Sequence, residues 1–183
     1  TDGTTGGVDE GLTVNTTGAV TFTGAVGSGS SSMLVGLIIT NSSTLLFSST
    51  INITGALTQT NAATGTTTFS NTVAVGSATL RGVAYSVNNS FTATGAVAVT
   101  NSGIFTKGAT GAIVAPGGFS TSGAVTLNNN ITTTNTTLSI GGNLVLSEAA
   151  SVTLAAGNGA ITVTGTTDGT TGGVDEGLTV NTT

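Results

Sequence analysis

The stretch TDGTTGGVDEGLTVNTT occupies residues 1–17 and is repeated without a single difference at residues 167–183. The two copies are 166 positions apart, which predicts one repeat unit at residues 1–166 and the start of the next identical unit at residues 167–183. Identical sequence at a fixed offset is typical of solenoids and related arrays, in which each unit stacks on its neighbour. We therefore interpret the chain as one segment of a tandem array.

The composition of the chain favours strands over helices. Charged residues make up only 5% of the chain, against roughly 25% in ordinary soluble domains. Thr, Ser, Asn and Gly fill most of the polar positions. Thr is β-branched, and Ser and Asn compete for backbone hydrogen bonds, so all three are poor helix formers. The composition predicts an all-β fold.

A short motif, Gly-Ala followed by an apolar, any and a second apolar residue, recurs along the chain. It begins segments 18–22, 55–59 (with Gln at the last position), 95–99, 111–115, 123–127 and 159–163. Other segments with period-two alternation are 37–40, 44–47, 51–54, 66–69, 73–75, 138–140, 144–146 and 152–154. Such short strands with small apolar residues predict a parallel β-helix, or β-solenoid, of about eight to nine coils of roughly 18 to 20 residues. An immunoglobulin-like sandwich is the main alternative, but it usually needs aromatic or Cys anchors, and aromatic residues are 4% here.

The charges and the missing residue types exclude several functions. A net charge of −5 argues against a nucleic-acid partner, which needs a basic surface. The longest apolar run, residues 33–39, is too short for a membrane-spanning helix, so no membrane insertion is expected. Without His or Cys, the common nucleophile and base arrangements are missing, and we expect no enzyme activity. Arg81 and Lys107, the only cations, are expected on the surface.

Acidic residues gather in the repeated stretch, and only Glu148 lies elsewhere. They are Asp2, Asp9 and Glu10 in the first copy and Asp168, Asp175 and Glu176 in the second. Carboxylates, hydroxyls and carbonyls on a Gly-rich loop are suitable Ca²⁺ ligands. The spacing matches neither an EF-hand nor the nonapeptide Ca²⁺ repeats, so a solvated acidic loop is the default interpretation. No other cofactor is predicted.

Pairs of Thr separated by one residue resemble the flat Thr arrays of ice-binding solenoids. They occur at residues 21 and 23, 58 and 60, 92 and 94, and 162 and 164. The simpler interpretation is ordinary strand alternation. Two regular ranks of Thr on one flat face would be required for ice binding.

The sequence pattern of these segments resembles that of a known group of proteins. Gly-Ala-Val-Thr-Phe at 18–22, Asn-Ser-Gly at 101–103 and Gly-Asn-Leu-Val-Leu at 142–146 look like the β-strand repeats of giant bacterial secreted proteins, the filamentous-haemagglutinin-like and autotransporter-associated group. The resemblance implies a right-handed parallel β-helix exported to the cell surface, where it serves in adhesion or builds a filament or sheath. The long identical repeat departs from the pattern of a simple adhesin shaft.

These observations predict an extracellular structural filament in which each unit contacts the next unit head to tail. We expect the two copies of the repeated stretch to present the same register to their neighbours, so that the winding does not close. A cell-surface polysaccharide is a second candidate partner. The alternatives are the shaft of a bacterial surface adhesin and an ice-binding or Ca²⁺-binding solenoid.

Overall fold

The chain is a parallel β-solenoid that makes about seven turns and contains no helix in its described part. The computed structural model describes residues 10–28, 34–147, 151–170 and 175–183. Its strands, numbered β1 to β21 in chain order, stack in three columns. Every pairing between them is parallel. The predicted fold class is therefore confirmed.

Columns A and B belong to one continuous sheet, because two long strands bend from one column into the other. Column A contains β1 (Gly11–Asn15), β3 (Gly36–Asn41), the first parts of β6 (Ala56–Phe69) and β8 (Ser77–Val87), β10 (Val97–Asn101), β13 (Phe119–Thr121), β16 (Leu138–Ile140) and β19 (Ile161–Val163). Column B contains β2 (Val20–Phe22), β4 (Leu45–Phe47), the second parts of β6 and β8, β11 (Phe105–Lys107), β14 (Val125–Leu127), β17 (Leu144–Leu146) and β20 (Thr167–Gly169).

Column C is a separate sheet that completes each turn. It begins with an isolated bridge between Val26 and Ile51. It continues through β5 (Ile51–Asn52), β7 (Val73–Val75), β9 (Phe91–Ala93), β12 (Ile113–Val114), β15 (Ile131–Thr132), β18 (Ser151–Gly157) and β21 (Gly177–Thr182). The six segments that carry the Gly-Ala motif all contain strands, and these are distributed over the three columns.

The period-two pattern of the sequence separates the interior from the surface. In β10, Val97 and Val99 are buried while Ala98 between them is exposed. Because the strands are parallel and in register, each inward side chain stacks on an inward side chain of the next turn. In column B, Phe47 stacks between Phe22 and Phe69, with ring centroids 5.0 and 5.3 Å apart. The core is thus a set of rows of apolar side chains running along the solenoid axis.

Asn side chains connect successive turns at the corners. The Oδ1 atoms of Asn130, Asn135 and Asn143 accept hydrogen bonds of 2.7, 3.0 and 3.1 Å from backbone N–H groups 23 residues further along the chain. In a ladder of stacked Asn residues, each side chain would bond its counterpart on the next turn. At these corners the side chain instead bonds the backbone of the next turn, and so fixes the path of that corner.

Most turns of the solenoid are longer than the sequence pattern indicated, and their length varies. The equivalent positions on successive strands of column A are Leu12, Leu37, Leu57, Ala78, Val97, Phe119, Leu138 and Ile161. The longest of these turns runs from Leu12 to Leu37, and one of the shortest runs from Ala78 to Val97. The prediction assumed shorter and more uniform turns, and the eight to nine coils derived from them are not confirmed. Corners of variable length account for the difference.

The two copies of the repeated stretch lie in different columns. The segment GLTVN of the first copy is β1, in column A, where it pairs with β3. The same segment of the second copy is part of β21, in column C, where it pairs with β18. The expectation that the two copies share one register is therefore wrong. The physical reason is that the 166 positions between the two copies do not fill a whole number of these turns.

Candidate functional site

The first and last turns differ from the interior in the exposure of their inward-facing apolar side chains. On the inner turns these side chains are buried, as in Leu37 and Leu138. On the first turn Leu12 and Phe22 are only partly buried, and on the last turn Val180 is 55% exposed. The full set of partly buried residues that extends the core at the two ends is Leu12, Val14, Val20, Phe22, Ile161, Val163 and Leu178. The first and last of the described turns therefore each carry an apolar face; we call these the terminal faces.

The strands of the terminal faces also have a free edge within the described part of the chain. There β1 and β2 pair only with β3 and β4, and β19, β20 and β21 pair only with the preceding turn. The opposite edge of such a strand carries backbone N–H and C=O groups that can extend a parallel sheet. Apolar side chains together with free strand edges make the terminal faces suitable for stacking another turn.

The acidic residues do not form a metal centre within the described part of the chain. Asp2 and Asp9, like Glu148, lie outside the described residues. Asp168 is exposed on β20, and Asp175 is exposed before β21. Glu176 is half-buried, and its Oε1 accepts a hydrogen bond of 2.9 Å from the Thr170 hydroxyl. No group of three or more acidic side chains suited to a metal ion occurs among the described residues.

The remaining acidic candidate, Glu10, belongs to the first turn. Its backbone carbonyl accepts a hydrogen bond of 2.9 Å from the N–H of Val35, which joins the start of β1 to the next turn. The structure therefore gives the backbone of Glu10 a role in stacking.

Lys107 is a correction to the sequence analysis, which predicted a surface side chain. It is fully buried at the end of β11, in the interior row between Val87 and Leu127. Its Nζ donates hydrogen bonds of 2.8 Å to the carbonyls of Gly108 and Thr110. Burial lowers the pKa of Lys107 to about 8, because desolvation disfavours the charged form. The strand parity could have revealed this position, since Lys107 lies two positions after the inward-facing Phe105.

A second buried polar group lies near the middle of the solenoid. Gln59 faces inward from β6, and its Oε1 accepts hydrogen bonds of 3.2 Å from the hydroxyls of Thr67 and Tyr85. The Gln59 Nε2 atom is buried and has no hydrogen-bond partner. Burial raises the pKa of Tyr85, which keeps its phenol protonated as a donor. This cluster was not predicted, although Gln59 occupies an apolar position of the Gly-Ala motif.

One groove lies on the outer surface of the described part of the chain. The groove along column A has a volume of about 400 Å³ and is lined by small and hydroxyl side chains, including Ala98, Ser120 and Ser139. No ionisable side chain lines it. Arg81, the second cation, is exposed on β8, as predicted.

The Thr pairs do not form the array expected of an ice-binding face. The pairs at residues 58 and 60 and at residues 162 and 164 begin in column A but belong to different, non-adjacent turns. The pairs that begin at Thr21 and Thr92 belong to columns B and C. On column A, Arg81 occupies the turn that follows Thr60. The described surface therefore lacks two regular ranks of Thr.

No family model, no curated protein and no solved structure matches the chain. Among the described residues there is no helix with the length and apolar character needed to cross a membrane.

Proposed function

We propose that the protein is a structural component of an extracellular filament or sheath on a bacterial cell surface. In this proposal, 166-residue units follow one another head to tail, either within one polypeptide or by docking of separate chains. The observation that carries the proposal is the second copy of the repeated stretch, which follows the first by 166 positions and continues the parallel winding as β21.

Stacking on a terminal face continues interactions that already stabilise the interior. A turn added beyond β21 would cover Leu178, which is partly buried against the core, and Val180, which is exposed. Burial of apolar surface stabilises by roughly 25 cal/mol per Å², and the free N–H and C=O groups would gain partners at the same time. With a net charge of −5 and 5% charged residues, successive units repel each other weakly.

The lateral surface is consistent with a structural role. Its outward positions carry mainly hydroxyl and small side chains, as in the rows through Thr79, Ala98 and Ser120 or through Ser86, Thr106 and Thr126. Such rows offer no cluster of ionisable groups for catalysis. The resemblance of the strand cadence to giant secreted bacterial proteins supports the cell-surface location.

Electron microscopy and sedimentation of the recombinant chain test the proposal. We expect the chain to associate end to end as its concentration rises, with an axial rise of about 35 Å per chain for about seven turns spaced ~4.8 Å apart. Val180→Asp places a charge on a terminal face and should abolish the association. Ile104→Asp is the matched control, because Ile104 is 50% exposed but lies on the side of the solenoid.

Two results would contradict the filament. If the chain remains a short rod at all concentrations, the terminal faces do not stack, and the shaft of a surface adhesin becomes the better interpretation. If Ile104→Asp and Val180→Asp reduce the association equally, the contact is lateral and not end to end.

A further inference from the structure

The position of the second GLTVN segment determines how far one repeat unit advances the winding. Seven turns separate β1 from β19, the first and last strands of column A. The chain then passes through column B as β20 and reaches column C as β21. Gly177 is therefore two columns beyond a whole number of turns from Gly11, its equivalent in the first copy.

We propose that the repeat unit spans seven and two-thirds turns, so that each unit of the array is rotated by one column relative to the unit before it. The same sequence then returns to the same column only at every third unit. This inference rests on the proposed function for the existence of further units. The phase, which is the offset in columns between the two copies of the repeated stretch, is a property of the single chain.

The repeated segment directs the same side chains toward the core in both columns, although β1 pairs with the following turn and β21 with the preceding one. In column A, Leu12 and Val14 lie against Leu37 and Ile39. In column C, Leu178 and Val180 lie against Val152 and Leu154. In both cases the Leu and Val positions face inward onto aliphatic partners, so one sequence fits either column without a change of strand parity.

The length of the chain also disfavours a whole-turn repeat. Such a repeat would put Leu178 on Ile161, and the turn between these two positions would be shorter than any turn of column A. Even the compact turn from Ala78 to Val97 contains more residues. The pairing with β18 avoids this shortened turn, because the chain passes column A as β19 and continues through column B before the segment stacks.

A rotation by one column gives the array a three-sided appearance. Three units contain 23 turns, so the period along one side is about 110 Å at ~4.8 Å per turn. A lateral feature such as the exposed Arg81 would appear on each of the three sides in succession. Over three units, each of the three sides of the array would then display the same residues.

Two pairs of introduced cysteines distinguish the alternatives in the 183-residue chain, which contains no natural Cys. Thr153 and Thr179 are in-register neighbours on β18 and β21, and strands ~4.8 Å apart bring their Cα atoms within disulfide range. With a whole-turn repeat, Thr179 would instead lie beside Thr162 of β19. We expect T153C/T179C to form an intramolecular disulfide under mild oxidation, and T162C/T179C to keep free thiols, as measured by peptide mass mapping.

The result can be separated from the fate of the filament, because the cross-link forms within one chain. If T162C/T179C closes and T153C/T179C does not, the rotation is overturned, whether or not filaments form. If neither pair closes although both thiols react with a small reagent, the second copy stacks on neither column, and the inference also fails. If T153C/T179C closes but no filaments form, the phase stands and the proposed function fails.

Discussion

Lys107 places an amine in a row of inward-facing side chains, between Val87 and Leu127. Two backbone carbonyls accept hydrogen bonds from its Nζ, but no described carboxylate forms an ion pair with it in the structure. The folded state therefore disfavours the protonated form, and the pKa is lowered from 10.5 to about 8. Between these two pH values the unfolded chain binds more protons than the folded chain.

This imbalance predicts how stability depends on pH. The free energy of unfolding should rise between pH 8 and pH 10.5 by up to ~3 kcal/mol, and the contribution of Lys107 should be constant below pH 8. Lys107→Met removes the titrating group and should flatten this rise. Denaturant unfolding at several pH values measures the effect, with Arg81→Met as a control at an exposed cation. A rise that persists in Lys107→Met would show that another group is responsible.

Gln59 is predicted to couple energetically to Tyr85. Gln59→Leu removes the buried Nε2 that has no partner, but it also leaves the hydroxyls of Tyr85 and Thr67 without their acceptor. Because a buried unpaired polar group costs about 1–3 kcal/mol, we expect Gln59→Leu to destabilise the fold. Adding Tyr85→Phe should recover part of this loss. A double-mutant cycle that gives additive effects would contradict the coupling.

The buried side chains of Lys107 and Gln59 also show the limit of prediction from the sequence. Alternation of apolar residues predicted the strands at 73–75 and 138–140, because a strand with one buried face has period two. The same alternation assigns Lys107 and Gln59 to the interior. Lys107 was nevertheless predicted to lie on the surface, because its side chain is charged. A polar residue is tolerated in the interior only where carbonyls and hydroxyls from other parts of the chain can bond it. The sequence alone does not show which of these groups will lie beside it.

At the scale of the element, the corners constrain the chain more tightly than the strands do. Gly111 precedes β12 and has a φ of 68°, a conformation that residues with a side chain rarely adopt. A Cβ at this position would also collide with the side chain and backbone nitrogen of Ser90 on the preceding turn. The corner therefore requires Gly for its backbone conformation and for its close approach to the neighbouring turn.

We expect Gly111→Ala to destabilise the solenoid by more than ~1 kcal/mol, since it combines an unfavourable φ with a steric overlap. Gly24→Ala is the matched control, because a Cβ there would have no neighbour within 4 Å. The free energy of unfolding of the two variants, measured in denaturant, checks the difference. Equal stabilities would mean that the corner moves away from Ser90 at little cost.

Corners also explain why the strands were easier to predict than the number of turns. A strand is recognised from its own residues, whereas the length of a turn depends on how many residues each corner takes up. The turn from Leu12 to Leu37 is longer than the turn from Ala78 to Val97, although both begin and end on the same column. The sequence shows that the two identical stretches are 166 positions apart, but it does not show how many turns these 166 positions make.

For the whole molecule, the small number of charges predicts a stability that depends little on salt. The net charge is −5, and the stacking of apolar side chains and parallel strands does not require ion pairs. Salt screens interactions between charges and leaves apolar burial nearly unchanged at moderate concentration. We expect the melting temperature to change by less than about 2 °C between roughly 0.02 and 0.5 M NaCl, as measured by circular dichroism.

The same melting experiment tests the acidic stretch when Ca²⁺ replaces Na⁺ at equal ionic strength. A cation bound only by the folded state would raise the melting temperature in proportion to the logarithm of its concentration, and EDTA would reverse the shift. The exposed Asp168 and Asp175 and the contact of Glu176 with Thr170 favour the result without a shift. A Ca²⁺-specific rise that Asp168→Asn removes would instead place a cation at the last turn.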